Sequence, residues 1–471
     1  MSAVFEVAPQ EELLYSISQD GRRRFIHPVV RKGHYWKIRR AIAVALVAVF
    51  YALPLIPVGG APAVQFNLST RHTHLLGATF NPADSLVLAA FGFGVIVTVF
   101  FVGSTFGRVW CGFACPQTIY LEFLFRPIEG LVEGGPTERR HLNKPPWTAR
   151  KAGIKATKWV LWTALAATMA ATFVAYFTGW PALARGLSHE PLAWTGVWLT
   201  IAGLTGLIVF DFGWFRDQMC TIACPYGRLQ NVISDPDTIQ VAYDTVRGEP
   251  RMQPKHQVAG MAAGDCIDCG ACVSVCPTGV DIRRGLQVEC IGTAQCVDAC
   301  DDVMRKLGRP TGLIKFTSLR EQQGGARRLW RPRNLAYLVL MTVAWGTLGT
   351  LVFTRAGALV EIGRGGREPY RMLTTGEVAN QQRIRFTNQL DQPQCFDVTI
   401  AGPAGAALVL SESPIVVGPQ GVVSINAVTT VPRTVFTDGQ ATVRYVITSD
   451  QGFRREVEFL LLGPFGTGQT P

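Results

Sequence analysis

Cys266, Cys269, Cys272 and Cys276 stand in the order C-x2-C-x2-C-x3-C, with Pro277 next. Thiolates at this spacing can wrap a tight loop around a four-iron cluster. A structural zinc site favours two separated pairs of ligands and does not account for the closing proline. Further along, Cys290, Thr293, Cys296 and Cys300 hold the same four positions, so the second has lost its thiol, and Asp301 stands where the proline would be. In paired runs of this type the fourth cysteine of each crosses to the other cluster. Cluster one then takes Cys266, Cys269, Cys272 and Cys300. Cluster two takes Cys276, Cys290 and Cys296, with its fourth ligand open at Thr293. Three outcomes follow for that site: a non-cysteine group completes a four-iron cluster, a three-iron or labile cluster forms, or the site stays empty.

Four further cysteines repeat a second pattern. "VWCGFACPQ" supplies Cys111 and Cys115, and "QMCTIACPY" supplies Cys220 and Cys224, each as C-x3-C-P. On a continuing helix this spacing puts both sulfurs on one face, and the following proline is expected to end it. Two such ends brought together offer four soft ligands, suited to Cu(I) or to dithiol redox chemistry. Small residues easing helix packing would explain one pair but not the duplication.

These thiols need elements to hold them, and the chain is apolar enough to suggest lipid: 48% hydrophobic and 17% charged residues over 471. Uncharged runs begin at Ala41, Ser85, Trp159, Leu192 and Leu335, each near the roughly 20 residues needed to cross a bilayer. Five transmembrane helices are expected. The 40-residue polar lead before the first is unlike a cleaved secretory signal. Lys and Arg number eight in that lead and nine in residues 105–158, and are dense again in 211–333, whereas Arg71 and Arg185 stand alone in the other two connections. Basic residues are retained in the cytoplasm. This puts the N-terminus and all the cluster and C-x3-C-P cysteines on the cytoplasmic side, a reducing compartment compatible with free thiols. Five spans then leave the C-terminus outside. The net charge of +11 suits anionic lipid headgroups, and with no basic groove carrying interleaved aromatics it does not indicate nucleic acid.

From about Thr354 the sequence changes to short alternating runs such as "ATVRYVITSD", separated by Gly, Pro, Asn and Asp. About seven such strands suit an immunoglobulin-like sandwich. Its single cysteine, Cys395, is expected to be a buried core thiol, with a periplasmic copper ligand as the alternative. His72 and His74 fall in an external loop that is expected to be plain, though the pair could bind a metal ion. No C-x-x-C-H, Walker loop or G-x-G-x-x-G occurs in the soluble connection, which argues against c-type haem, intrinsic ATPase or NAD(P)H chemistry.

The paired "CGFACPQ" and "CTIACPYGRLQ", with "CIDCGACVSVCPTGVDIRRGLQVECI", "CVDACDDVM", "GHYWKIRR" and "LLGATFNPADS", resemble the FixG/CcoG family of cytochrome c oxidase accessory proteins across nearly the whole chain. The combined expectation is a multi-domain membrane protein of the bacterial inner membrane. Residues 1–40 form a basic cytoplasmic segment; 41–213 four transmembrane helices with the paired motifs; 214–333 a cytoplasmic ferredoxin-like 4Fe-4S domain; 334–354 a fifth helix; and 355–471 a periplasmic immunoglobulin-like β-sandwich. The resemblance implies a protein for cbb3-type oxidase assembly that binds copper and reduces Cu(II) to Cu(I), with Cys111, Cys115, Cys220 and Cys224 as the reactive copper ligands. It implies oxidase subunits or copper chaperones as partners, besides lipid and an unidentified electron donor. Thr293 departs from members with cysteine there. The alternatives are a ferredoxin-type membrane subunit of a quinol dehydrogenase, and a non-redox assembly scaffold.

Overall fold

The computed structural model describes residues 23, 25–58, 61–68, 72–80, 85–251, 264–354, 357–366, 368–390 and 392–465. The chain divides into two compact units, one of residues 1–56 and 90–346 and one of residues 57–89 and 347–471.

The apolar runs become helices. Among the described residues, Ser85–Phe106, Ala149–Thr178, Thr195–Phe215 and Pro332–Phe353 are long and apolar enough to cross a bilayer. The first run differs from the other four. It forms the helix His34–Ala52, whose opening turns carry Lys37, Arg39 and Arg40 and which stops just before Pro54. Its uncharged portion, 41–52, rises about 18 Å at about 1.5 Å per residue, less than the roughly 30 Å of a hydrocarbon core. The Ala149–Thr178 helix starts at Thr148, whose hydroxyl accepts the Lys151 N–H, and ends at Gly179 in a positive-φ conformation. It packs through Trp162 on Phe125, which stacks on Phe212 at 4.6 Å; Trp162 Nε1 donates to the Phe125 carbonyl at 3.1 Å.

The ferredoxin-like part of the first unit is built on an antiparallel pair, Gln240–Tyr243 with Ile314–Thr317, and on the helices Ala271–Ser274 and Gln295–Lys306. Val241, Tyr243, Ile282, Val297, Met304, Leu313 and Ile314 form its buried core.

In the second unit, residues 358–462 form two antiparallel sheets. One has the order Ala407–Leu410, Val422–Pro432, Glu377–Asn388, Ala358–Arg364, with Arg371–Met372 also paired to Glu377–Asn388. The other has the order Ile415–Val417, Gln394–Gly402, Gln440–Ser449, Arg454–Leu462. The period-2 alternation places Ala441, Val443, Tyr445 and Ile447 in the core beside Phe386 and Phe396. The same alternation corrects the expectation for Cys395. Gln394 and Phe396 take the inward phase, so Cys395 is exposed. The loop expected at His72 and His74 is also replaced: these residues lie on the strand His72–Leu75, paired on both sides, and His74 Nδ1 lies 3.0 Å from the Thr79 hydroxyl.

Candidate functional site

The seven clustered cysteines line two separate cavities. Cys266, Cys269, Cys272 and Cys300 face one of about 350 Å³, walled by Tyr243, Met304, Leu313 and Ile314. Cys276, Cys290 and Cys296 face another of about 340 Å³, together with Thr293. The two sets are those that the crossing rule gives. The backbone also keeps the repeat where the side chain breaks it. Asp268 and Gly270 have φ of 51° and 66°, and Gly292 and Ala294, at the same places in the second run, have 69° and 55°. Thr293 therefore sits between two left-handed residues as Cys269 does, and it is buried.

Burial dominates the thiol chemistry. It pushes Cys272 up to about 11, with Arg283 opposing and Asp281 and Cys269 adding. Burial and then Cys276 push Cys290 to about 11, and burial and then Cys272 push Cys300 to about 12. Cys296 is raised well above the ordinary thiol value by burial and by Cys290, Cys276 and Cys272. Sulfurs so crowded and dry become thiolates only against a compensating positive charge, which the irons of a cluster provide. Among the described residues no three His, Cys, Asp or Glu side chains converge on a point fit for one metal ion. A four-iron cube needs no such convergence, because it stands between its thiolates. The donor sets and apolar-walled cavities fit iron–sulfur clusters.

The C-x3-C-P segments fold differently from one continuous helix. Cys111 lies on Val109–Phe113, the chain then turns, and Cys115 is extended at φ −64°, ψ 126°, the N-cap of a helix starting at Pro116. Cys224 caps Pro225–Ile233 in the same way after the π-helical turn Met219–Ala223. Each proline thus opens a helix. Its missing N–H costs nothing at the first position, and it forces the preceding cysteine extended. Burial raises the Cys115 thiol, and the nearby backbone N–H groups of Gln117 and Thr118 oppose it. Burial, Cys115 and Cys224, opposed by Arg108, push Cys111 up to about 12. Cys220 is raised by burial and by Cys115, Cys111 and Cys224, so all four sulfurs share one neighbourhood.

Several residues here had no motif to mark them. Arg108 donates to the Gly227 carbonyl and ties the first pair to the helix after the second. Gln117 Nε2 donates to Asp211 Oδ1 at 3.1 Å and to the Arg216 carbonyl at 3.2 Å. Gln117 and Tyr226 occupy the same place in the two motifs, two residues past the second cysteine. Comparing the motif copies beyond their cysteines would have found them. Beneath, Glu129 is gripped by Arg216, at 2.8 Å, and by Arg139 and Lys158. Although burial alone would raise it, Arg216, Arg139 and Lys158 hold its carboxyl down at about 2.

The dithiol region abuts the second cluster cavity. A Cβ on Gly112 would lie 2.6 Å from the Gly292 carbonyl oxygen, so the backbones touch there. A third cavity has Cys220, Thr118 and Gln117 on one side and Pro277, Thr278 and Ile291, neighbours of Cys276 and Cys290, on the other. His72, His74 and Cys395 belong to the other unit and take no part in this arrangement.

Comparison with known proteins agrees. Residues 215–319 match a 4Fe-4S dicluster domain, 86–134 a 4Fe-4S binding domain, and 348–464 the Ig-like fold at the C-terminus of FixG. The chain is 33% identical over 394 residues to protein RdxA of Cereibacter sphaeroides, covering 81% of this chain and 82% of that one. It is 30% identical over 493 aligned positions to nitrogen fixation protein FixG of Rhizobium meliloti, covering 93% and 92%. The chain belongs to the FixG family. It is an iron–sulfur electron-transfer protein with a membrane part and an Ig-like domain. The methylamine utilization ferredoxin-type protein MauN of Methylorubrum extorquens is 27% identical over 53% of this chain and 76% of its own. A FixG-related crystal structure from Vibrio parahaemolyticus aligns with 23% of this FixG-family chain and 98% of its own, at 19% identity and a TM-score of 0.21.

Proposed function

We propose that this FixG-family protein passes single electrons to copper held by Cys111, Cys115, Cys220 and Cys224, reducing Cu(II) to Cu(I) for the copper site of a cbb3-type oxidase. The observation that carries the reading is the cavity shared by Cys220 and the flanks of Cys276 and Cys290, which brings the dithiol region against the second cluster site. When bound, the clusters supply one-electron transfer. In this reading Cys266, Cys269, Cys272 and Cys300 hold one, and Cys276, Cys290 and Cys296 the other, with its fourth position open at Thr293. The chain's own part is to gather soft sulfur. Cu(II) prefers nitrogen and oxygen whereas Cu(I) prefers thiolate, so a sulfur-rich, dry site stabilises the reduced product. The metal takes one electron, and each thiol that ligates it gives up its proton.

The proposal includes five spans, with clusters and dithiols in the cytoplasm and the Ig-like domain in the periplasm. His34–Ala52 is read as the first of the five, with Arg39 neutralised by Glu122. An alkaline phosphatase fused after Thr354 is expected to be active, and one fused near Lys151 inactive.

A second reading, a ferredoxin-type subunit of a quinol dehydrogenase, draws on the match of residues 86–134 to a 4Fe-4S binding domain. The two separate on metal content. Cys111→Ser/Cys115→Ser and Cys220→Ser/Cys224→Ser proteins should keep their iron and lose bound Cu(I), whereas loss of iron with no copper in the parent favours the second reading.

A further inference from the structure

An open cavity of about 420 Å³ lies beside the start of the His34–Ala52 helix. Four cations line it, Lys32, Arg40, Arg126 and Arg139, with the rings of Trp36 and Phe123. Glu122 also faces it, but this carboxylate is already shared by Arg39, Arg126 and Gln295. Arg139 is held to Glu129 at 3.3 Å. Lys32 and Arg40 have no ion-pair partner among the described residues; Arg40 stacks 5.3 Å from the Trp36 ring. Arg126 is 8% exposed, and its Nε finds no hydrogen-bond partner among the described residues. The cavity is thus a concave cationic site with a buried donor unspent.

Its place along the chain indicates the ligand. Arg40 is the last charged residue before the uncharged run from Ala41 to Ala52, and Trp36 lies one turn earlier, where an interfacial ring belongs. Basic pockets at the cytoplasmic ends of membrane helices suit anionic headgroups. We infer that this cavity binds the phosphate group of an anionic glycerophospholipid, with Lys32, Arg40 and Arg126 as its cations and Trp36 and Phe123 against the glycerol and upper acyl chains. Free inorganic phosphate shares the charge but has no use for the two rings.

The test is native mass spectrometry of the full-length protein in neutral detergent, titrated separately with palmitoyl-oleoyl phosphatidylglycerol, the matching phosphatidylcholine and inorganic phosphate. Phosphatidylglycerol should bind at least about tenfold more tightly than either of the others, and Lys32→Ala/Arg40→Ala should remove about that factor. Both substituted residues are exposed, and unchanged iron content verifies that the variant is folded. Equal binding of the two lipids, phosphate binding as tight as the lipid, or unchanged phosphatidylglycerol affinity in the folded variant would each overturn the assignment.

Discussion

Asp298 Oδ2 accepts the backbone N–H of Trp36 at 2.9 Å, and its Oδ1 accepts that of Tyr35 at 3.1 Å. The helix His34–Ala52 has no side-chain cap of its own, so a residue between Cys296 and Cys300 supplies one from 262 positions away. Gly33 leaves room for it: a Cβ there would lie 2.2 Å from the Asp298 carboxyl carbon. An N-terminal cap is worth about 1 kcal/mol, more when the acceptor is charged. The cap also fixes the cluster helix to the helix His34–Ala52.

Asp298→Ala should therefore destabilise the protein by about 1–3 kcal/mol. Thermal unfolding in detergent reads this directly, with iron loss following at the same temperature. Gly33→Ala, which leaves the carboxylate but obstructs it, should lower the melting temperature in the same direction. Unchanged melting in both variants would mean that the cap carries no stability.

Thr293 stands where the backbone is shaped for a cysteine. Thr293→Cys should need no rearrangement, increase iron per protein and abolish any three-iron EPR signal. Iron and EPR both unchanged from the parent would show that the fourth position is already filled by another group.

Glu129 links stability to pH. Its carboxyl lies at about 2 in the folded protein against 4.5 unperturbed. A depressed carboxylate contributes stability that is complete above the unfolded value and is lost as pH falls through the folded one. The loss should run from about pH 5 down to about pH 2. Glu129→Gln should abolish that part of the acid dependence and lower stability at neutral pH by about 3 kcal/mol or more, because Arg216 and Arg139 are left buried without their partner. Acid unfolding followed by tryptophan fluorescence measures both; superimposable acid profiles would contradict the pairing.

Much of this was legible in the sequence because metal-binding loops are local. Cys266, Cys269 and Cys272 stand so close along the chain that one cavity takes all three, and the crossing of Cys276 and Cys300 follows from the repeat. The four long apolar helices follow from the length of uncharged runs, and the sandwich from period-2 alternation. What was hidden is long-range or depends on phase. Cys395 was read as buried because thiols usually are, yet one register step decided otherwise when Phe396 took the core position. Pro116 and Pro225 were read as stops, although at a first helical position proline is a start. Arg108, Gln117 and Asp298 act on partners 94 to 263 positions away, and no local pattern announces such pairings.

The most direct measurement is a single turnover. Anaerobic protein, reduced by dithionite and freed of excess reductant, is mixed with one equivalent of Cu(II), and EPR follows the reduced-cluster and Cu(II) signals together. Both should decay with the same time constant, leaving protein-bound Cu(I), and the Cys220→Ser/Cys224→Ser protein should retain both signals. Cu(II) that persists beside reduced clusters in the parent, or copper reduced equally well by the thiol variant, would contradict electron delivery to copper at the four paired cysteines.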